Sequence, residues 1–350
     1  MSLSRVLHTS VPLLIICLLA PAGVHADADF DTFIVFGDSL SDPGNKFAVT
    51  GLSNVPPYDL LDDFFVPNGP YARGGQHHSN GATWIEKYAR TLDLGDQIRP
   101  AYQPSSDATN YAYGGARARD VSQDVPQHPD PVVRSNKHLP VQVTDFLADF
   151  GNVAPADALY IIFVGGNDIA PDAVTQLGGS NPALGIQTIG RALQSVSDNI
   201  VALYMAGARH FLVLNAPDLG LTPAMREAGP LAQAGASCLS VLYNFGTPVP
   251  CVPSEAGPIP GLDDVLDQLE SSPFLPGITF NRINVFAQMH AFVANPAAFG
   301  LSNVEDHCVQ PNEPPYACKK PDQYLFWDGA HPTKTVHNII AELVAAELEQ

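Results

Sequence analysis

Cationic residues and long apolar runs are both scarce in this 350-residue sequence. Lys and Arg number 17 against 36 Asp and Glu, a formal net charge of −19 at neutral pH. An acid surplus of this size argues against nucleic acid or an anionic membrane surface as a partner, since both repel a chain of that sign. Past residue 26 no apolar stretch approaches the length needed to cross a bilayer, so no stable membrane anchor is expected there. Cysteine is sparse as well: there are five, none in a Cys-x-x-Cys pair, which leaves the usual zinc spacing unmet. Glycine-rich signatures for a dinucleotide or a phosphate are missing, as is the Gly-x-Ser-x-Gly turn that presents a serine in many α/β enzymes. No segment repeats.

What is present suffices for a large core, with 45% apolar residues. The first 26 residues stand apart. Arg5 gives a positive end, Val11 to Ala20 an apolar run, and Val24-His25-Ala26 a small-residue cleavage site, the pattern of a secretory signal peptide. The remainder, 27–350, is expected to form a single domain in a secreted or periplasmic protein. Cys17 leaves with the signal, and the four cysteines that stay allow three pairings. Their close spacing favours Cys238 with Cys251 and Cys308 with Cys318 as local staples.

Buried strands are expected at Phe33 to Phe36, at the end of Asn110 to Ala116, at Ala158 to Val164, at Phe211 to Leu214 and at Ile278 to Val285. Between the third and fourth of these, Ile186, Ile189, Leu193, Val196, Ile200 and Leu203 mark one face of a long helix that Gly207 can close, a βαβ unit that makes the sheet parallel. Ser79-Asn80-Gly81 opens a further helix through Trp84 and Tyr88, and Val336 to Leu348 forms the last. The long segment 55–76, rich in Pro, Gly and aromatics, reads as a loop shaping a pocket mouth. His77-His78 reads as a pair of loop histidines, because adjacent side chains diverge and no acid lies at ligand spacing.

In an open parallel sheet, ligands and chemistry collect at the carboxyl ends of the strands. Each end here carries polar residues after a glycine or before a helix: Gly37-Asp38-Ser39-Leu40, Gly114-Gly115, Gly165-Gly166-Asn167-Asp168 and, near the C-terminus, Asp328-Gly329-Ala330-His331. A serine hydroxyl needs a base to become a nucleophile, and a His oriented by a carboxylate three positions earlier is a suitable one. Ser39, His331 and Asp328 are therefore the candidate catalytic residues. The backbone N–H of Ser39, the N–H of Gly115 and the side-chain amide of Asn167 are the candidate oxyanion donors. On the plainer reading, Asp38, Ser39, Ser41 and Asp42 only make a turn and cap a helix.

In order and spacing these four blocks resemble the signatures of the GDSL, or SGNH, hydrolases, and the similarity extends to Ser79 to Glu86, Leu214 to Pro223 and Tyr324 to Thr333. The resemblance implies a flavodoxin-like, three-layer α/β/α sandwich on a parallel sheet of about five strands. It implies a serine carboxylic-ester hydrolase working through an acyl-enzyme, with no metal and no organic cofactor; the aromatic loop from Tyr58 to Tyr71 suits an apolar acyl group and favours short- to medium-chain esters. The residues it implies are Ser39 as nucleophile, Asp328 and His331 as its triad partners, and Gly115 and Asn167 as oxyanion donors. Two departures stand out: Asn284 occupies a place where an acid is expected, and the Pro- and Gly-rich piece around Cys251 is unusual. A carbohydrate acetylesterase would share every catalytic residue, and a non-catalytic extracellular binding protein on the same scaffold is the rival from another class.

Overall fold

The computed structural model describes residues 30–58, 76–104, 106–124, 127–179, 181–252 and 257–349. The expected signal peptide, and most of the expected aromatic loop, lie outside them. Four parallel strands form the main sheet in the order β1 (Phe33–Gly37), β2 (Leu159–Phe163), β3 (His210–Leu214) and β4 (Thr279–Ile283). Every residue of β1 and β2 is buried, which is why they read as unbroken apolar runs: helices cover both faces of a parallel sheet. Strand β4, Thr-Phe-Asn-Arg-Ile, is more exposed and more polar, as suits an edge.

Successive side chains along a strand point to opposite faces, and this alternation sorts the core into two layers. Ile34, Phe36, Tyr160, Ile162, Phe211 and Val213 pack on one side against helices at Leu139–Asp149, Ala183–Ala206, Pro230–Phe245 and Leu262–Glu270. On the other side Phe33, Val35, Ile161, Phe163 and Leu212 meet α1 (Trp84–Thr91), α2 (Val285–Ala294) and α3 (Lys334–Leu348). Helix α1 starts with a capping box between Thr83 and Glu86, and its Trp84 N–H donates to Nδ1 of His337 on α3. Burial, with His331 and Lys87 nearby, pushes His337 down to about 3, so the imidazole stays neutral and can accept that bond.

The strand expected to end at Asn110 to Ala116 is a correction: the main sheet has four strands among the described residues, not about five. Residues 109–113 run beside β1, with Val35 N–H donating to Thr109 O, Tyr111 N–H to Val35 O and Tyr113 N–H to Gly37 O. Only a single bridge, Val35 with Asn110, forms there. Asn45 and Asn110 take up neighbouring backbone groups with their side chains, and the glycine turn follows at once, so the segment is extended without becoming a regular strand. A small separate parallel pair, β5 (Asn303–His307) with β6 (Tyr324–Phe326), leads into the Asp328 loop. Cys238 is joined to Cys251 and Cys308 to Cys318, as the spacing predicts. Asn284 turns out to cap α2: its Oδ1 accepts from Ala287 N–H and from Asn215 Nδ2, so an uncharged side chain suffices there.

Gly37, the last residue of β1, lies against the backbone of β2: a Cβ built on it would stand 2.4 Å from Phe163 O. Neither strand can yield without disturbing the ladder that carries Ser39 two residues on. Gly37→Ala is expected to lower unfolding stability by about 2 kcal/mol or more, an overpacking cost, read as a lower urea midpoint at unchanged m-value.

Candidate active site

Ser39 sits just past the carboxyl end of β1, on a tight loop. Asp38 N–H still donates to Phe163 O of β2, and Ser41 N–H turns back to Asp38 O. Asp42 then gathers the backbone N–H groups of Gly44, Asn45, Lys46 and Gly114, tying this loop to the glycine turn. Asp42 thus holds the first turn of the helix Asn45–Thr50, whose N-cap is Gly44, and Ser39 takes no part in those bonds.

The Asp328–His331 loop is closed by Trp327 N–H donating to His331 O and by Thr333 N–H to Leu325 O. Ser79 Oγ donates to Pro332 O, and Asn80 Oδ1 accepts from Lys334 N–H, so the Ser-Asn-Gly block just before α1 fixes the start of α3. Asp328 is fully buried, and Oδ1 accepts from the N–H groups of Ala330 and His331. Burial alone would raise this carboxyl, but the facing His331 and those two donors outweigh it and hold it below the usual range. A carboxylate can only accept, so Nδ1 of His331, 2.8 Å from Asp328 Oδ2, carries the proton. That leaves Nε2 as an acceptor, 2.8 Å from Ser39 Oγ. Three residues expected to act together are joined in one line of hydrogen bonds.

Asn167 lines the same cavity as Ser39 and His331. Its Nδ2 donates to Ala116 O at 3.0 Å, which fixes the amide and leaves its second hydrogen uncommitted among the described residues. Gly115 is not among the residues lining that cavity; it precedes Ala116, whose carbonyl accepts from Asn167 Nδ2. Its φ of 81° suits glycine, and its carbonyl is gripped by Arg117 Nη1 and Asn136 Nδ2. Since the Gly114 N–H goes to Asp42, Gly115 is the residue of the pair whose N–H no described group takes.

Several neighbours were not legible as part of the site. His78, read as a loop histidine, is buried with its ring 5.2 Å from that of His331, and a Cβ on Gly114 would collide with its Nε2. Burial keeps His78 neutral, far below its ordinary pKa. Arg117 and Arg119 form a buried network with Asp168, Asp172 and Asp124 directly behind Asn167 and the glycine turn. Among the described residues no group of His, Cys, Asp and Glu is arranged to hold a metal ion.

A family model described as GDSL-like Lipase/Acylhydrolase matches residues 33–344. The chain belongs to that family. It is 28% identical over 322 residues to one GDSL esterase/lipase of Arabidopsis thaliana, covering 87% of this chain and 86% of the relative. A second from the same plant is 25% identical over 349 residues, covering 91% and 88%. Lipase 1 of Photorhabdus luminescens is 24% identical over 387 residues, which span 96% of this chain but 52% of that protein. The GDSL block itself holds an unusual group. Burial pushes the Asp38 carboxyl up to about 7, with Asp168 and Asp42 adding to the rise while Leu40 N–H and His331 oppose it.

This shift has a definite sign. Between pH 4 and 7 an unfolded Asp has lost its proton while the folded Asp38 keeps it, so folding loses stability as pH rises through that window. Asp38→Asn keeps the acceptor for Leu40 N–H and removes the titration. Its stability, followed by urea midpoint, is expected to fall less than the wild type's from pH 4 to 7, by up to about 1.4 kcal/mol per pH unit.

Proposed function

We propose that the chain is an exported serine ester hydrolase that works through an acyl-enzyme. The observation that carries this is the unbroken relay from Asp328 through His331 to Ser39 Oγ, lying beside the Asn167 amide. Ser39 Oγ attacks the ester carbonyl carbon and its proton passes to His331 Nε2. The carbonyl oxygen becomes an oxyanion, received by the N–H groups of Ser39 and Gly115 and by Asn167 Nδ2. As the C–O bond to the alcohol breaks, His331 returns the proton to the leaving oxygen, and Ser39 is left acylated. Water then attacks that acyl carbon, gives a proton to His331, and the carboxylic acid departs as Ser39 regains its hydrogen. Asp328 holds the tautomer and steadies the imidazolium. The two disulfides suit an oxidising compartment, in line with export by the N-terminal signal.

Intact mass after a fluorophosphonate probe tests the reaction class. The wild type is expected to gain one adduct and Ser39→Ala none; an adduct that persists in the mutant, or a folded wild type that never reacts, overturns the assignment. Asn167→Ala is expected to lower kcat about 10²- to 10³-fold, the usual loss for one oxyanion donor. The rate should also decline in acid as His331 takes a proton, because an imidazolium cannot accept from Ser39, and a flat profile from pH 5 to 8 would contradict its role as base.

A further inference from the structure

The Gly115 carbonyl accepts from Arg117 Nη1 at 2.8 Å and from Asn136 Nδ2 at 3.0 Å. That Nδ2 also takes the place a side chain would need: a Cβ built on Gly115 would stand 2.8 Å from it, and 3.9 Å from Lys46 Nζ. Asn136 is buried at the end of the helix Pro131–Ser135, and its own N–H donates to Val133 O. Its backbone is thereby fixed, but either end of its side-chain amide could still face Gly115. Lys46, on the helix Asn45–Thr50 and 90 positions away, decides between them: Nζ donates to Asn136 Oδ1 at 2.6 Å while lying 5.1 Å from the centre of the Tyr113 ring.

We propose that Lys46 is a positioning residue for the oxyanion site, acting through Asn136 on Gly115; the inference rests on the esterase reading and adds a residue to its machinery. An ammonium has donors and no acceptor, so only Oδ1 of the Asn136 amide can face it, and Nδ2 is turned on Gly115 O. A neutral amine also carries a lone pair and can accept from Nδ2, so it no longer tells the two ends apart. With the amide reversed, two oxygens would face each other, and the Gly115 carbonyl would keep only Arg117. On the esterase reading the Gly115 N–H must point at an oxyanion. A donor swung out of line loses its worth in the transition state and leaves binding of the ester untouched. Burial brings the Lys46 ammonium down to about 8, with Arg117 adding to the fall while Asp42 and Asp130 resist it. His78 also faces Lys46 and is kept neutral by burial, and burial pushes the Tyr113 phenol up to about 12, so neither changes charge where Lys46 does.

The test follows hydrolysis of p-nitrophenyl acetate and butyrate from pH 6 to 10, with the rate of Ser39→Ala subtracted, in the wild type, Lys46→Met, Lys46→Arg and Asn136→Ala. At pH 7 Lys46→Met should lose about tenfold in kcat with KM within about twofold, a part of the roughly 10²–10³ that a whole donor carries. Wild-type kcat should fall through pH 8 toward the Lys46→Met level. Lys46→Arg, charged throughout this range, should recover most of the loss and show no such fall. Once Asn136→Ala is present, Lys46→Met should cost nothing more. Should Lys46→Met fail to fold, the wild-type profile against that of Lys46→Arg decides alone. An unchanged kcat in Lys46→Met, a loss confined to KM, a fall at pH 8 that persists in Lys46→Arg, or losses that add in the double variant overturns the role of Lys46 and leaves the esterase reading standing. A folded wild type with no Ser39-dependent hydrolysis sinks both.

Discussion

One hydrogen bond, 2.8 Å between Ser39 Oγ and His331 Nε2, joins positions 292 apart in the chain, and the rest of the molecule can be understood as the apparatus that keeps it short. Ser39 inherits its place from β1, which is fixed by pairing with β2 and by the lack of any side chain at Gly37. His331 inherits its own from a loop that shares two backbone bonds with itself and is then pinned at Pro332 and Lys334 by Ser79 and Asn80. A displacement of about 1 Å at either end would cost roughly two orders of magnitude in rate if the pair acts in catalysis. Holding it therefore draws on residues from four separate stretches of sequence.

Charge is handled around this pair in two ways. Buried Asp42 is met by four backbone N–H groups, whereas buried Asp328 is met first by His331 and then by the N–H groups of Ala330 and His331. Asp168 and Asp172, behind Asn167, are matched instead with Arg119 and Arg117, and Arg117 Nη1 also holds the Gly115 carbonyl. Breaking a buried pair of that kind by removing one partner costs about 3–5 kcal/mol, so this network behaves as a rigid backing for Asn167 and the glycine turn. Asp38 belongs to neither class. It is buried beside the nucleophile with one backbone donor on Oδ1 and no cation, which is why it retains a proton toward neutral pH.

Much of this was visible in the sequence because it rests on local rules. Apolar runs ending in glycine and polar residues gave β1, β2 and β3 within a residue or two, and the 3.6-residue spacing from Ile186 to Leu203 gave the crossover helix. Asn110 to Ala116 has the composition of a strand end, but side-chain amides compete for the backbone groups that a ladder would need. His78 and the Arg117–Asp172 pairing were missed for a different reason. Their partners lie 55 residues or more away, and no local periodicity reports a contact of that range. Asn284 stands where an acid is expected, yet an N-cap needs an acceptor and not a charge.

The same distinction explains why the apolar cavity could not be read ahead. An aromatic loop is conspicuous in a sequence and invites assignment to an apolar substrate; most of that loop, 59–75 of 55–76, lies outside the described residues, whereas the cavity draws on Val, Met, Phe and Ile of two helices that look like core. Core positions and subsite positions obey the same periodicity, since both must face inward. What separates them is a packing shortfall: close-packed interiors leave few voids larger than a water molecule, so a space that opens onto Ser39 and His331 has been left unfilled at a cost in lost contacts. A cost of that kind persists where the space is used, and on the proposed mechanism the neighbour that would use it is the acyl group carried by Ser39.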